Sequence, residues 1–245
     1  TPAQIGEAKI FQISDGKLLG DLVRTDDSVF AVALNPDGTR LATAGADRAI
    51  RVYDVATQKQ QLIIEDHADW VMDIAWAPDG AKLASASRDK TSKVFDAQTG
   101  DSLVTFNGHG QPVYGVGFSP DGKLVVTSGS DKNIRTWNVG DAKQVRAIGG
   151  FGGEIFRIAV TPEGQVFSPS ADKNARVHTI ADGKAIRSFA GHTDWVYSVG
   201  VHTGSKRVAA GSYTGEVRIW NLDDGKELLK FLAAPGADKK ETAAK

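Results

Sequence analysis

The sequence predicts an all-β fold made of a repeated unit of four antiparallel strands, and three observations carry that reading. Phe11, Tyr53, Phe95, Trp137, His178 and Trp220 follow one another at spacings of 42, 42, 42, 41 and 42 residues. Pro36, Pro78, Pro120 and Pro162 keep the same beat inside NPDG, APDG, SPDG and TPEG. Asp47, Asp89, Asp131 and Asp172 each stand six residues before one of the closing positions. Self-similarity at this period means stacked supersecondary units rather than a globule with one unique core.

One period shows the elements in order. From Pro112 the chain reads PVYGVGF, SPDG, KLVVTSG, SDKN, IRTWNV, GDAK and QVRAIGG. The apolar runs are short, rich in Val, Ile, Phe, Tyr and Thr, and bounded by Asp-Gly, Asp-Lys or Gly-Asp. Such runs are strands, here a, b, c and d, joined by tight turns. A helical repeat of similar length would need amphipathic stretches of a dozen residues without Gly or Pro, and none exists. Five complete sets follow, with strand a expected near 29–34, 71–76, 113–118, 155–160 and 196–201. Ahead of them stand only a c-like strand in GEAKIFQI and a d-like strand in GKLLGDL, giving five and a half units. The final stretch 233–245, AAPGADKKETAAK, reads as a flexible tail or linker stub.

Composition narrows the function classes. With 29 basic and 30 acidic residues the net charge is −1, so no electrostatic case exists for nucleic acid or an anionic membrane. No apolar run approaches a membrane span, and no signal-peptide core opens the sequence. Compartment stays open, with cytoplasm the default. Zero cysteines exclude disulfides and thiolate metal sites.

The repeat resembles the WD-repeat β-propeller family over roughly residues 5–232, the tail lying beyond. The matching pieces are NGH (107–109), AGH (190–192), the SPDG-type turns, SDKNIRTWN (130–138) and GEVRIWN (215–221). The Trp-Asp dipeptide has drifted to Tyr53-Asp54, Phe95-Asp96, Trp137-Asn138, His178-Thr179 and Trp220-Asn221. The resemblance implies a β-propeller of four-stranded antiparallel blades, here five full blades plus a half blade. That count fits a segment of a seven-bladed ring or a thin six-bladed one. It also implies a buried hydrogen-bond chain in each blade. In the complete copy the chain joins His109, Thr127, Asp131 and Trp137. The copy with His67, Ser85 and Asp89 closes on Phe95, which has no N–H to give. The last copy keeps His192 and Trp220 but has Ala210 and Thr214, and in the copy closing on His178 the histidine place holds Phe151.

Catalysis finds little support. The Ser/Thr-His-Asp trio recurs from unit to unit with a structural part to play and no oxyanion donor beside it. The five histidines show no zinc-type spacing. GGFGG (149–153) lacks the lysine and following helix of a phosphate loop. Asp26-Asp27 and Asp223-Asp224 fall in turns, where Asp serves the backbone. No metal or cofactor is expected. Two readings remain: a protein- or peptide-binding scaffold, and a structural spacer with no ligand of its own. An incomplete end blade would also leave a strand edge open to self-association.

In the family, the d–a and b–c connections open on one face, the top, and residues there often carry peptide contacts. Just after the histidine place of the five repeats stand Ser28, Trp70, Pro112, Glu154 and Trp195, and two residues further on stand Phe30, Met72, Tyr114, Phe156 and Tyr197. The b–c turn adds Ala46, Arg88, Ser130, Ala171 and Tyr213. Trp, Tyr and Arg are the types enriched at binding hot spots. The expectation is an apolar cup of Trp70, Trp195, Tyr197 and Tyr114 for a protein segment, with Arg88 or Glu154 setting orientation. The competing reading packs these rings between neighbouring blades.

Overall fold

A computed structural model describes residues 6–25 and 27–233, so Asp26 and the tail beyond Ala233 lie outside the described residues. Among the described residues, twenty-two strands form one two-stranded sheet and five four-stranded antiparallel sheets. The hairpin pairs β1 (Gly6–Phe11) with β2 (Leu18–Thr25). Blade I holds β3 (Val29–Leu34), β4 (Arg40–Gly45), β5 (Ile50–Asp54) and β6 (Gln60–Ile64). Blade II holds β7 (Val71–Trp76), β8 (Lys82–Ser87), β9 (Ser92–Asp96) and β10 (Ser102–Phe106). Blade III holds β11 (Val113–Phe118), β12 (Leu124–Gly129), β13 (Ile134–Asn138) and β14 (Gln144–Ile148). Blade IV holds β15 (Ala159–Val160), β16 (Gln165–Pro169), β17 (Ala175–Thr179) and β18 (Ala185–Phe189). Blade V holds β19 (Val196–His202), β20 (Arg207–Ser212), β21 (Glu216–Asn221) and β22 (Glu227–Leu232). In every blade the strands lie in sequence order, each paired to its predecessor. No described helix is long and apolar enough to cross a membrane.

The repeated turns explain the repeated sequence. In NPDG and its relatives, proline sets the first turn residue and Gly38, Gly80, Gly122 and Gly164 take φ between 68° and 76°, a left-handed conformation that glycine adopts without steric cost. The b–c turns put Arg48, Lys90, Lys132 and Lys173 at φ between 61° and 75°. Such residues are uncommon there, and the preceding aspartates support the turn. Asp89 Oδ1 accepts the Thr91 N–H at 2.9 Å, and Asp47, Asp131 and Asp172 do the same two residues on.

The core lies between blades, not within them. Ile50 and Val52 of blade I pack with Val71, Ile74, Leu83 and Phe95 of blade II, and the same joint recurs down the row. The closing residue of one blade seats against the outer strand of the blade before it: Trp137 stacks on Phe106 with centroids 5.1 Å apart, and Trp220 lies 5.5 Å from Phe189. A buried ring packs a large apolar face into the joint between blades, which suits the positions of Tyr53, Phe95, Trp137 and Trp220 on the 42-residue beat.

Blade IV departs from the expected strand a at 155–160. Only Ala159–Val160 form a ladder, with an isolated bridge between Ile155 and Ser170. The cause is Pro169. Its counterparts Ala44, Ala86, Ser128 and Gly211 pair with Ala31, Asp73, Gly115 and Ser198 of strand a. A proline cannot donate to that ladder, so the facing segment around Arg157 comes away from it.

The two ends of the row differ from the middle. On the back face of blade I, Val32 and Leu34 are 55% and 56% exposed, because the hairpin supplies only outer strands and leaves a cleft of about 540 Å³ beside them. On the forward face of blade V, Leu229 and Phe231 are 52% and 43% exposed, whereas Ile64, Phe106, Ile148 and Phe189, which match Phe231 in register, are buried.

Candidate functional site

The histidines fall into a structural network. His109 Nδ1 lies 3.0 Å from Asp131 Oδ2, and Nε2 lies 2.8 Å from Thr127 Oγ1. Trp137 is not a link in this chain: its indole N–H is buried without a hydrogen-bond partner, because the ring is held flat against Phe106. The Phe95 copy is therefore no poorer than the Trp137 copy. His67 Nδ1 is 2.8 Å from Asp89 Oδ2, and Nε2 is 2.6 Å from Ser85 Oγ. Burial alone would raise the Asp89 carboxyl, but hydrogen bonds from His67 and Thr91 hold it far below the usual carboxylate range. Asp131 is lowered likewise, burial being outweighed by His109 and Arg135.

Blades IV and V replace this network. In blade IV Phe151 fills the histidine place, the Arg176 guanidinium lies 4.9 Å from its ring centre, and Asp172 accepts the Gly152 N–H. In blade V His192 has no aspartate. Glu216, two residues after the expected position, brings Oε1 to 3.2 Å from Nδ1 but off the line of a hydrogen bond. Burial lowers the His192 pKa against the pull of Glu216. Glu216 itself, despite burial, is held at about 2 by Arg218 and Lys230. Among the described residues no cluster of three His, Cys, Asp or Glu side chains could hold a metal ion.

The top-face residues are aimed by β-bulges. In blades I, II, III and V the register of strand a against strand b slips between its first and third residues, leaving Phe30, Met72, Tyr114 and Tyr197 as the extra residue. A bulge re-aims the side chain that carries it. In blade IV the place belongs to Phe156, in the segment that Pro169 frees.

These residues gather into two groups. The first is a continuous aromatic run: Tyr114 lies 5.9 Å from Phe156, Phe156 lies 4.4 Å from Tyr197, and Tyr197 lies 6.3 Å from Trp195 and 6.0 Å from Tyr213. It ends in a pocket of about 370 Å³ lined by Asp194, Trp195, Tyr197 and Tyr213. The second joins Phe30 to Trp70 at 5.4 Å, with Arg88 stacked 4.5 Å from the Trp70 ring centre. Trp70 thus sits with Phe30 and Arg88 rather than in the pocket, and Met72 is half-buried at its bulge. Glu154 accepts a hydrogen bond from Ser130 Oγ and is half-buried. Both packing and exposure hold: the rings pack on one another from blade to blade, while Trp70, Trp195, Tyr197 and Tyr213 remain open to solvent.

Sequence reasoning passed over Arg157. It leaves the interrupted strand of blade IV and crosses the channel, its Nη2 donating to the Phe30 carbonyl at 2.7 Å and its Nε meeting Asp73 Oδ1 at 3.1 Å. Asp73 is buried and also accepts the Val116 N–H at 3.2 Å.

Comparison with known families agrees with this architecture. The family described as WD domain, G-beta repeat matches residues 16–54, 58–96, 100–138 and 183–221, more than half of the chain. Each match runs from the outer strand of one sheet through the first three of the next. The stretch between the third and fourth matches holds most of blade IV, where Phe151, His178 and Pro169 replace repeat residues. A comparison with curated proteins finds no significant match.

Proposed function

The chain belongs to the WD40 family, and we propose that it is a non-catalytic scaffold that binds a protein or peptide segment on the top face around the channel mouth. Propellers of this family generally serve as protein-interaction scaffolds. The observation that carries the finer reading is the aromatic run from Tyr114 through Phe156 to Tyr197, Trp195 and Tyr213, which ends exposed in a pocket. Exposed large apolar residues elsewhere fall singly on outer strands, as Ile63, Leu103, Val145 and Ile186 do, or at the two ends of the row. Scattered apolar residues need no explanation, whereas a contiguous exposed patch marks an interaction site. Rigid rings desolvate at low entropic cost, which suits a hot spot. In this reading the propeller module spans 5–232 and 233–245 is a tail.

Selection of a random peptide library on the immobilised chain tests it. Selected ligands should bind Trp195→Ala roughly tenfold or more weakly, about 2 kcal/mol, with an unchanged melting temperature. Ligands indifferent to Trp195, Tyr197 and Tyr213 would refute the reading.

A second reading has its own observation. The uncovered Val32 and Leu34 at one end and Leu229 and Phe231 at the other form two apolar faces. Apolar faces beside open strand edges favour association of copies through the end blades.

A further inference from the structure

Blade II carries a small device that blade V repeats without its last part. In blade II, Asp69 Oδ1 accepts the Trp70 N–H at 2.8 Å, and Asp69 Oδ2 lies 3.2 Å from Arg88 Nε. The Arg88 guanidinium lies over the Trp70 indole, 4.5 Å from its centre. A backbone bond from Arg88 N to Trp70 O at 2.9 Å delivers the arginine to that place. A carboxylate and an indole together hold a cation.

In blade V, Asp194 Oδ1 accepts the Trp195 N–H at 2.7 Å, and Tyr213 N donates to Trp195 O at 2.9 Å. Tyr213 stands where Arg88 stands, seven residues before the closing aromatic. Blade V thus keeps the carboxylate and the indole and replaces the cation with a further ring. Among the described residues no cationic side chain pairs with Asp194. The space left is the pocket of about 370 Å³ walled by Trp195, Tyr197 and Tyr213.

We propose that this pocket is a cation seat that takes the guanidinium of an arginine side chain from the bound protein segment, in the place Arg88 fills within blade II. The inference rests on the top-face reading and adds the chemistry of the ligand. Electron-rich ring faces attract a cation electrostatically, and more strongly when water is displaced. A guanidinium can stack its plane on an indole while its edge faces a carboxylate, and Arg88 lies over Trp70 and beside Asp69; a compact, strongly hydrated ammonium lacks that planar face.

The blocked tripeptide Ala-Arg-Ala, with citrulline and lysine analogues, is titrated against the full chain while NMR follows the Trp195 indole. The arginine peptide should bind about tenfold more tightly than the neutral citrulline peptide and more tightly than the lysine peptide. Asp194→Asn should erase the preference over citrulline. Tyr213→Arg, which installs the blade II arrangement, should fill the seat from within and block the arginine peptide without lowering the melting temperature. Equal binding of arginine and citrulline, preference for lysine, no response of Trp195 to the arginine peptide, or unaltered binding by Tyr213→Arg would each overturn the seat. A library-selected ligand that requires Trp195 but ignores Asp194→Asn overturns the cation seat alone and leaves the top-face reading standing.

Discussion

Arg157 of blade IV holds Asp73 of blade II across the central channel, Nε to Oδ1 at 3.1 Å, and with its Nη2 ties down the Phe30 carbonyl of blade I. Blade IV thus meets the adjacent blades I and II at one guanidinium. It is free to do so because Pro169 interrupts the ladder that would otherwise hold it.

This link predicts a pH signature. Burial raises the Asp73 carboxyl to about 6, against the Arg157 charge and the Val116 and Ile74 N–H groups. Because the folded pKa lies above the ordinary value, the native state favours the protonated acid. The cost of keeping Asp73 ionised is fully present above about pH 6 and disappears as pH falls towards 4. Asp73→Asn removes that titration, and the other carboxylates are common to both proteins. The stability of the variant relative to wild type should therefore fall by up to roughly 2–3 kcal/mol between pH 7 and pH 4. Urea unfolding at several pH values measures it; a constant difference would contradict it.

The histidine copies predict a ranking. His67→Ala and His109→Ala each take one hydrogen-bond partner from a carboxylate and one from a buried hydroxyl, and each should cost about 1–3 kcal/mol. His192 makes no hydrogen bond, so His192→Ala should cost less, through lost packing on Trp220 alone. Denaturant titration of the three variants decides it, and equal losses would show that packing dominates in all three.

The sequence carried what is local and repeated. Turn chemistry at Pro-Asp-Gly, the b–c aspartates and the period of the closing aromatics are written within short windows, so the all-β blades were legible. Less legible were interactions that leave the repeat. Arg157 is one arginine among many, and its reach depends on the proline of a neighbouring strand. Pro169 was itself a visible signal, standing where the other blades have Ala44, Ala86, Ser128 and Gly211. Glu216 lies beside His192 from outside the aspartate's place, so spacing does not find it. The Trp137 indole was expected in the hydrogen-bond chain, but stacking on Phe106 decided its orientation. On the top face, spacing picked out the rings but not their division into a Trp70–Arg88 pair and a separate pocket.

The end faces predict association. Substituting Leu229→Lys together with Phe231→Lys places charge on the forward face of blade V, where neither side chain has a covering blade. Light scattering of wild type should give a mass that rises with concentration, and the double variant a constant mass. Constant monomer mass for wild type would refute end-face association.

The top face itself is tested most directly by position-specific photocrosslinking. A photoreactive residue is placed at Tyr213 beside the pocket, at Ile186 on an outer strand and at Leu229 on the end face, and each protein is irradiated with a library-selected peptide. Peptide adducts are expected at Tyr213, lost when Trp195→Ala is added, and none at Ile186 or Leu229. Adducts confined to Ile186 or Leu229, or Tyr213 adducts that survive Trp195→Ala, would contradict it.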